Sequence, residues 1–305
     1  MKSDWVDIRK GVRQGCVLSP DLFSLYGQKC LERLEDLEGV RIGGRNVTNI
    51  RYADDTVLVA DSEEKLQRLV DEVKEASEVR GLKINTKKTE VLGITKRRQR
   101  LRVRIYIGGR QIKQVQEFKY LGSIVSEEAD CEKEIKKRIV LAKTAFINIR
   151  NLITNLSMRM DLKVRLLKCY VWSVLLYGCE TWTIKKKMEK KLEATEMWFL
   201  RRIQRIPWTA RVTNEEVLRR AGLERGLMKS IKRRQLQFLG HILRARGMER
   251  DCLLGRIDGR RARGRQRKKY METLLESIDR GWNTVDLIRM AEERKEWRSM
   301  IADVT

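Results

Sequence analysis

The sequence has one histidine, His241, and two prolines, Pro20 and Pro207. A Ser-His-Asp hydrolase, or a metal hydrolase built on two histidines, would have to rest on that single imidazole, which leaves carboxylate chemistry as the open route. So little proline leaves helices uninterrupted. Six cysteines are scattered without a CxxC pair, so neither a disulfide framework nor a zinc knuckle is encoded. Cys169, Cys179, His241 and Cys252 can be grouped on paper as a zinc site, but their spacings match no compact ligand motif and buried thiols account for them equally well. The longest strongly apolar stretch, residues 169–177, falls well short of the ~20 residues that cross a bilayer. No signal-peptide core follows Met1 and no lipidation signal is present, so an intracellular protein without a membrane partner is expected.

What is abundant is positive charge. Lysine and arginine number 67 against 42 acidic residues, a formal charge of +25, while 42% hydrophobic residues over 305 positions suffice for one or two domains with real cores. A polyanionic partner, nucleic acid before a membrane surface, fits that balance; a merely basic surface is the plainer reading. Charge is densest in residues 256–269, where eight of fourteen side chains are basic. Such a run serves as a solvated loop, as RNA-phosphate contacts through Arg260, Arg261, Arg263, Arg265, Arg267, Lys268 and Lys269, or as a nuclear-import signal, which favours the nucleus over the cytoplasm.

Pattern along the chain predicts an α+β first part. Residues 5–8 read as a short strand, and Gly11 and Gly15 permit unusual backbone angles in the turn that follows. Ser19 as N-cap and Pro20 at the first helical position open a helix with the apolar stripe Leu22, Phe23, Tyr26, Leu31 and Leu34, ended by Gly39. Residues 40–42 and 47–52 read as strands around Gly43-Gly44, and 56–60 as a buried strand, which puts Asp54 and Asp55 at a hairpin tip. Asp61 and Glu64 read as a capping box for a helix through Leu66, Leu69, Val70, Val73 and Ala76 that stops near Gly81. Further strands are expected at 83–85, at 90–94 and through the alternating Leu101, Val103, Ile105, Ile107 series. Beyond about residue 127 the apolar period becomes helical, beginning with Ile135, Ile139, Ala142, Phe146 and Ile149.

Adjacent aspartates at a hairpin tip repel one another, and neither is buried cheaply without a cation. A divalent metal resolves that conflict, and carboxylates holding magnesium are the polymerase form of two-metal catalysis; an ordinary Asx turn is the alternative for a lone pair. Of the tryptophans, Trp172, Trp182, Trp198 and Trp208 are candidates either for core positions or for stacking on bases.

The pair does not stand alone. Tyr52-Ala53-Asp54-Asp55 resembles the catalytic box of reverse transcriptases, and Arg13-Gln14-Gly15-Cys16-Val17-Leu18-Ser19-Pro20 resembles an upstream motif of non-LTR, LINE-type retrotransposon enzymes. Gly81-Leu82-Lys83-Ile84-Asn85 with Lys88-Thr89 looks like the next palm motif, and Phe118-Lys119-Tyr120-Leu121-Gly122 looks like the primer-grip hairpin. The resemblance covers residues 5–125, and Cys179-Glu180-Thr181-Trp182 with Phe238-Leu239-Gly240-His241 extends it, less specifically, into the tail that follows the palm. It implies a partial palm of antiparallel sheet plus helices over 1–126, a helical thumb-like segment over 127–160 and a basic helical region over 161–305. It further implies Mg2+ or Mn2+ at Asp54 and Asp55, Lys88 as proton donor to pyrophosphate, and an RNA template, DNA primer and deoxynucleotides as partners. Arg13, Gln14 and Gly15 would meet template and nucleotide, and Phe118, Tyr120, Leu121 and Gly122 the primer.

The family carries a further metal-binding aspartate on an earlier palm strand, and Asp4 and Asp7, the acidic residues ahead of Gly11, sit on the strand leading straight into the turn. Impaired polymerase activity in this chain alone is therefore expected, with a nucleic-acid-binding relic as the other reading. Phosphate contacts release counterions, so affinity for RNA is expected to fall steeply and linearly on a log–log plot against salt; a flat response in a filter-binding or anisotropy titration would contradict the polyanion reading.

Overall fold

The computed structural model describes residues 11, 13, 15–95, 100–245, 247–257, 270–278 and 281–304. The strand expected at 5–8, Asp4, Asp7, Gln14 and the seven basic residues of 260–269 lie outside the described residues. The chain divides into two compact units, one of residues 1–116 with 256–260 and one of 117–255 with 261–305.

The first unit mixes helix and strand in the order α1 (Ser19–Leu31), β1 (Val40–Ile42), β2 (Arg45–Val47), β3 (Asn49–Tyr52), β4 (Asp55–Leu58), α2 (Glu63–Val79), β5 (Glu90–Leu92), β6 (Tyr106–Ile107), β7 (Arg110–Gln111) and β8 (Lys113–Val115). The expected single antiparallel sheet is replaced by separate pairs, β1–β2, β3–β4 and β6–β7 antiparallel and β5–β8 parallel. Side chains explain the fragmentation. Residues 83–85 are not a strand, because the Asn85 carbonyl and its Oδ1 accept from Lys88 N at 3.0 and 3.2 Å and close a turn. The 101–107 series alternates as expected, with Val103, Ile105 and Ile107 buried. Yet much of its backbone bonds to glutamine amides instead of a neighbouring strand: Val103 N donates to Gln114 Oε1 at 3.1 Å and Tyr106 N to Gln67 Oε1 at 2.8 Å.

Helix α2 buries Leu69, Val70 and Ala76 as its period requires, but its cap is Ser62, whose side chain accepts from Lys65 N, and not the Asp61–Glu64 box. Helix α1, by contrast, begins one residue earlier than the sequence suggests: Leu18 is the N-cap, and Ser19 Oγ instead donates to the Arg13 carbonyl at 2.9 Å. Its apolar stripe is only half used. Leu31 and Leu34 pack with Cys30 and Leu69, whereas Leu22 and Tyr26 stay exposed in the first turns. Residues 256 and 257, expected to begin an unstructured run, extend along β1, where Gly43 N donates to Arg256 O at 2.6 Å and Ile42 bridges Ile257.

The second unit opens with the hairpin β9 (Glu117–Tyr120) and β10 (Ser123–Ser126) and is helical thereafter among the described residues. Its helices are α3 (Glu132–Asn148), α4 (Arg150–Ile153), α5 (Met160–Leu166), α6 (Ser173–Leu175), α7 (Lys186–Ile203), α8 (Asn214–Ala221), α9 (Leu227–Arg244), α10 (Met248–Leu253), α11 (Tyr270–Ile278), α12 (Thr284–Glu292) and α13 (Arg294–Val304). Two cores result. One gathers Phe146, Trp172, Trp182, Phe199 and Leu200; the other gathers Leu236, Leu239, Leu274, Leu287 and Trp297. Helix α9 contributes to both, and its N-terminus is capped from a distance by the buried Glu196, whose Oε1 accepts from Gly226 N at 2.8 Å and Leu227 N at 2.9 Å.

Both tail motifs are packing devices. Gln235, buried on α9, donates to the carbonyls of Cys179 and Trp182 at 3.0 and 2.8 Å, and burial pushes the Cys179 thiol up to about 12. Gly240 lies against the Trp297 indole, which donates from Nε1 to Leu236 O at 3.0 Å, and a Cβ at position 240 would overlap the ring. The paper zinc site is not assembled: Cys169, His241 and Cys252 are exposed while Cys179 is buried, and no cluster of three or more potential ligands occurs among the described residues. Gly240→Ala is expected to cost about 1–3 kcal/mol by overpacking, measured as a lowered urea midpoint, while the exposed neighbour His241→Ala is expected to leave that midpoint unchanged.

Candidate functional site

Asp54 and Asp55 sit where the sequence places them. In the β3–β4 hairpin Tyr52 pairs with Asp55, so Ala53 and Asp54 form a two-residue loop, and Ala53 adopts φ 52°, a left-handed conformation unusual for alanine. The register that pairs Asn49 with Leu58, Ile50 with Val57 and Tyr52 with Asp55 puts both carboxylates at the tip. Both aspartates are exposed, and among the described residues neither carboxylate forms a hydrogen bond or an ion pair. Two adjacent negative charges thus face solvent with no cation paired to them among the described residues, and hard divalent ions are the matching counter-charge for oxygen ligands of this kind. The residues present fit such a metal, although two carboxylates supply only part of a coordination shell.

The other candidates of this unit stand on separate segments. Lys88 is exposed on the turn closed by Asn85, with no bond to either aspartate. Arg13 is exposed, its carbonyl held by Cys16 N at 3.2 Å and by the Ser19 hydroxyl. Gly15 has φ 85°, which explains the glycine there.

In the second unit the β9–β10 hairpin turns at Leu121 (φ 45°) and Gly122 (φ 83°). Phe118 and Tyr120 are half-buried and Leu121 exposed. Three groups clamp this turn. Glu134 Oε2 accepts from Ile124 N at 2.8 Å, Arg138 Nη2 donates to Gly122 O at 2.6 Å, and the Tyr177 hydroxyl donates to Leu121 O at 2.7 Å. Arg138 also pairs with Glu134 at 2.5 Å and stacks on the Tyr177 ring at 4.4 Å, so the buried charges satisfy one another and the backbone together. Gly122 lies against Tyr177, where an added Cβ would stand 3.4 Å from the ring.

The family of reverse transcriptases (RNA-dependent DNA polymerases) matches residues 2–125, which includes every candidate of the first unit and the β9 strand. An uncharacterized transposon-derived protein of Caenorhabditis elegans is 30% identical over 284 residues, covering 86% of this chain and 98% of that protein. The chain belongs to the retrotransposon reverse transcriptase family. The RNA-directed DNA polymerase from the mobile element jockey of Drosophila melanogaster is 26% identical over 223 residues, 70% of this chain. The Pol polyprotein from a type-1 R2 retrotransposable element of Nasonia vitripennis is 28% identical over 132 residues, 40% of this chain. This chain spans only 24% and 13% of those two longer proteins.

For this reverse transcriptase-like chain, sequence reasoning found the hairpin but missed its clamp. Glu134 and Arg138 are spaced i,i+4, a visible signal of a helical ion pair, yet nothing in the spacing distinguishes a solvated pair from a buried one. Arg138→Ala is expected to destabilise the second unit by about 3–5 kcal/mol, since it strands the Glu134 carboxylate in the interior, with the double variant Glu134→Gln/Arg138→Met recovering much of the loss in denaturant melts.

Proposed function

We propose that the β3–β4 hairpin is the metal-holding element of an RNA-directed DNA polymerase palm, with Asp54 and Asp55 as its ligands. The observation that carries this reading is the exposed, uncompensated carboxylate pair on a tight loop between apolar strands. A bound Mg2+ or Mn2+ would help activate a primer 3′-hydroxyl and neutralise the departing pyrophosphate. The chain's own residues supply position and charge around that chemistry. Arg13 offers a phosphate contact and Gly15, free of a side chain, lets backbone approach a base pair; Lys88 holds a proton on an exposed amine for the leaving group. Gln14 would add an amide for a base edge or sugar. The β9–β10 turn, rigid through Glu134, Arg138 and Tyr177, presents Leu121 and Gly122 to the primer beside Phe118 and Tyr120, as a primer grip requires. An RNA template and a DNA primer are the partners of such a site.

Two carboxylates leave the metal short of ligands, so synthesis by this chain alone should be slow. Primer extension on an RNA template with Mg2+ or Mn2+ is expected to give weak products that Asp54→Ala removes, and Mn2+ bound to the wild-type chain, followed by water-proton relaxation, is expected to be lost in the same variant. Equal Mn2+ binding and equal extension by wild type and Asp54→Ala would overturn the assignment.

A further inference from the structure

A second charged site lies wholly within the second unit. Arg150, Arg201, Arg202 and Arg205 line a concavity of about 520 Å³ together with Pro207, where the start of α4 meets the end of α7. Among the described residues none of the four guanidinium groups pairs with a carboxylate. Three are held in place by other means. Arg201 Nη2 donates to Val212 O at 2.8 Å and to Asn214 Oδ1 at 2.9 Å, Arg205 Nε donates to Thr154 O at 2.9 Å, and Arg202 stacks over the Trp198 ring at 3.6 Å. Burial, and then the charge of Arg150, pull Arg202 below the usual arginine range, a sign that these cations crowd one another. Like charges fixed side by side without an anion are costly in the free protein and well suited to a polyanion.

The loop that follows carries the second half of the site. Trp208, next to Pro207, is 89% exposed, whereas Trp172, Trp182 and Trp198 serve the core. Arg205 (φ 55°) and Arg211 (φ 47°) bracket the loop in left-handed conformations that non-glycine residues seldom adopt. Strain of this kind persists where surrounding structure enforces it, and it recurs at ligand sites. An indole held in water beside fixed arginine forks offers what one nucleotide of a flexible strand requires, a face for the base and donors for the phosphates.

We infer that the Arg150–Arg201–Arg202–Arg205 concavity and Trp208 form a binding site for single-stranded nucleic acid, with a base stacked on the indole and the backbone phosphates on the guanidinium groups. The site is built from the second unit alone, so it stands or falls independently of metal binding at the Asp54–Asp55 hairpin. Duplexes, whose bases are already stacked, bind it poorly, and an acidic peptide lacks the base.

The test uses the full chain and fluorescein-labelled oligouridylate and oligothymidylate of about ten nucleotides, followed by anisotropy. Trp208→Ala, at a position open to solvent, is expected to weaken binding about tenfold, and Arg150→Glu at least as much. Lys186→Ala/Lys187→Ala, which removes two charges roughly 20 Å along α7, is expected to change it less than twofold. Oligouridylate affected and oligothymidylate not would assign the site to RNA; both affected alike would assign it to either strand. A 4-thiouridine oligomer cross-linked to the wild-type chain should mark the tryptic peptide of residues 206–211, which arginines bound on either side. Losses in Trp208→Ala and Arg150→Glu no larger than in the lysine control, cross-links confined to other peptides, or equally effective competition by poly-glutamate would each overturn the inference.

Discussion

A carboxylate and a guanidinium taken out of water must satisfy every lone pair and proton they carry, and on α3 the pair Glu134–Arg138 does so by recruiting the backbone of another element. The pair's remaining valences go to Ile124 N and Gly122 O, so the charge that would otherwise be a liability becomes the fixture of the β9–β10 turn. Because the same guanidinium lies on Tyr177, and the Tyr177 hydroxyl reaches Leu121 O, the hairpin and the helical core that supplies α3 and Tyr177 are ordered as one piece. A hairpin of two four-residue strands is marginal by itself; here it borrows its rigidity from a helix bundle.

The same economy governs the helical region. With little proline to end helices, their mutual approach is set by small residues and buried polar side chains: Gly240 against Trp297, Gln235 holding the carbonyls around Cys179, Glu196 capping α9. Arginine that finds a carbonyl or an aromatic face is absorbed into this framework, as at Arg201 and Arg205. What remains is charge pushed to the surface and concentrated there, which is how a chain of formal charge +25 can fold and still present ordered cationic sites to a polyanion.

The sequence carried the carboxylate hairpin because the alternating residues 49–52 and the apolar run 57–60 leave Ala53-Asp54 as the turn between two strands, with Ile50 opposite Val57. It carried the helices α2 and α3 through their apolar period, and the glycine at position 15 through the backbone angle it needs. It misjudged the strands around them. Two-to-four-residue strands gain little from propensity, and side-chain amides such as Gln67 and Gln114 can take the backbone groups that a continuous sheet would use. The caps at Leu18 and Ser62 each differ by one residue from those expected, because local geometry turns the Ser19 hydroxyl away to the Arg13 carbonyl at α1 and brings the Ser62 hydroxyl onto Lys65 N at α2.

Local pattern and composition by themselves determined the basic character of the chain, the helical second half, the position of Asp54 and Asp55 at a turn and the likeness to retrotransposon enzymes, since each depends on residues near one another in sequence. Tertiary structure alone decided which charges are buried and which tryptophan faces water. Glu134 and Arg138 read like any exposed helical pair, and Trp208 reads like Trp182, until segments distant in sequence close over one member of each comparison and leave the other open. Burial is a property of what packs against a residue, and that is set by contacts separated by tens of positions, which no local pattern records.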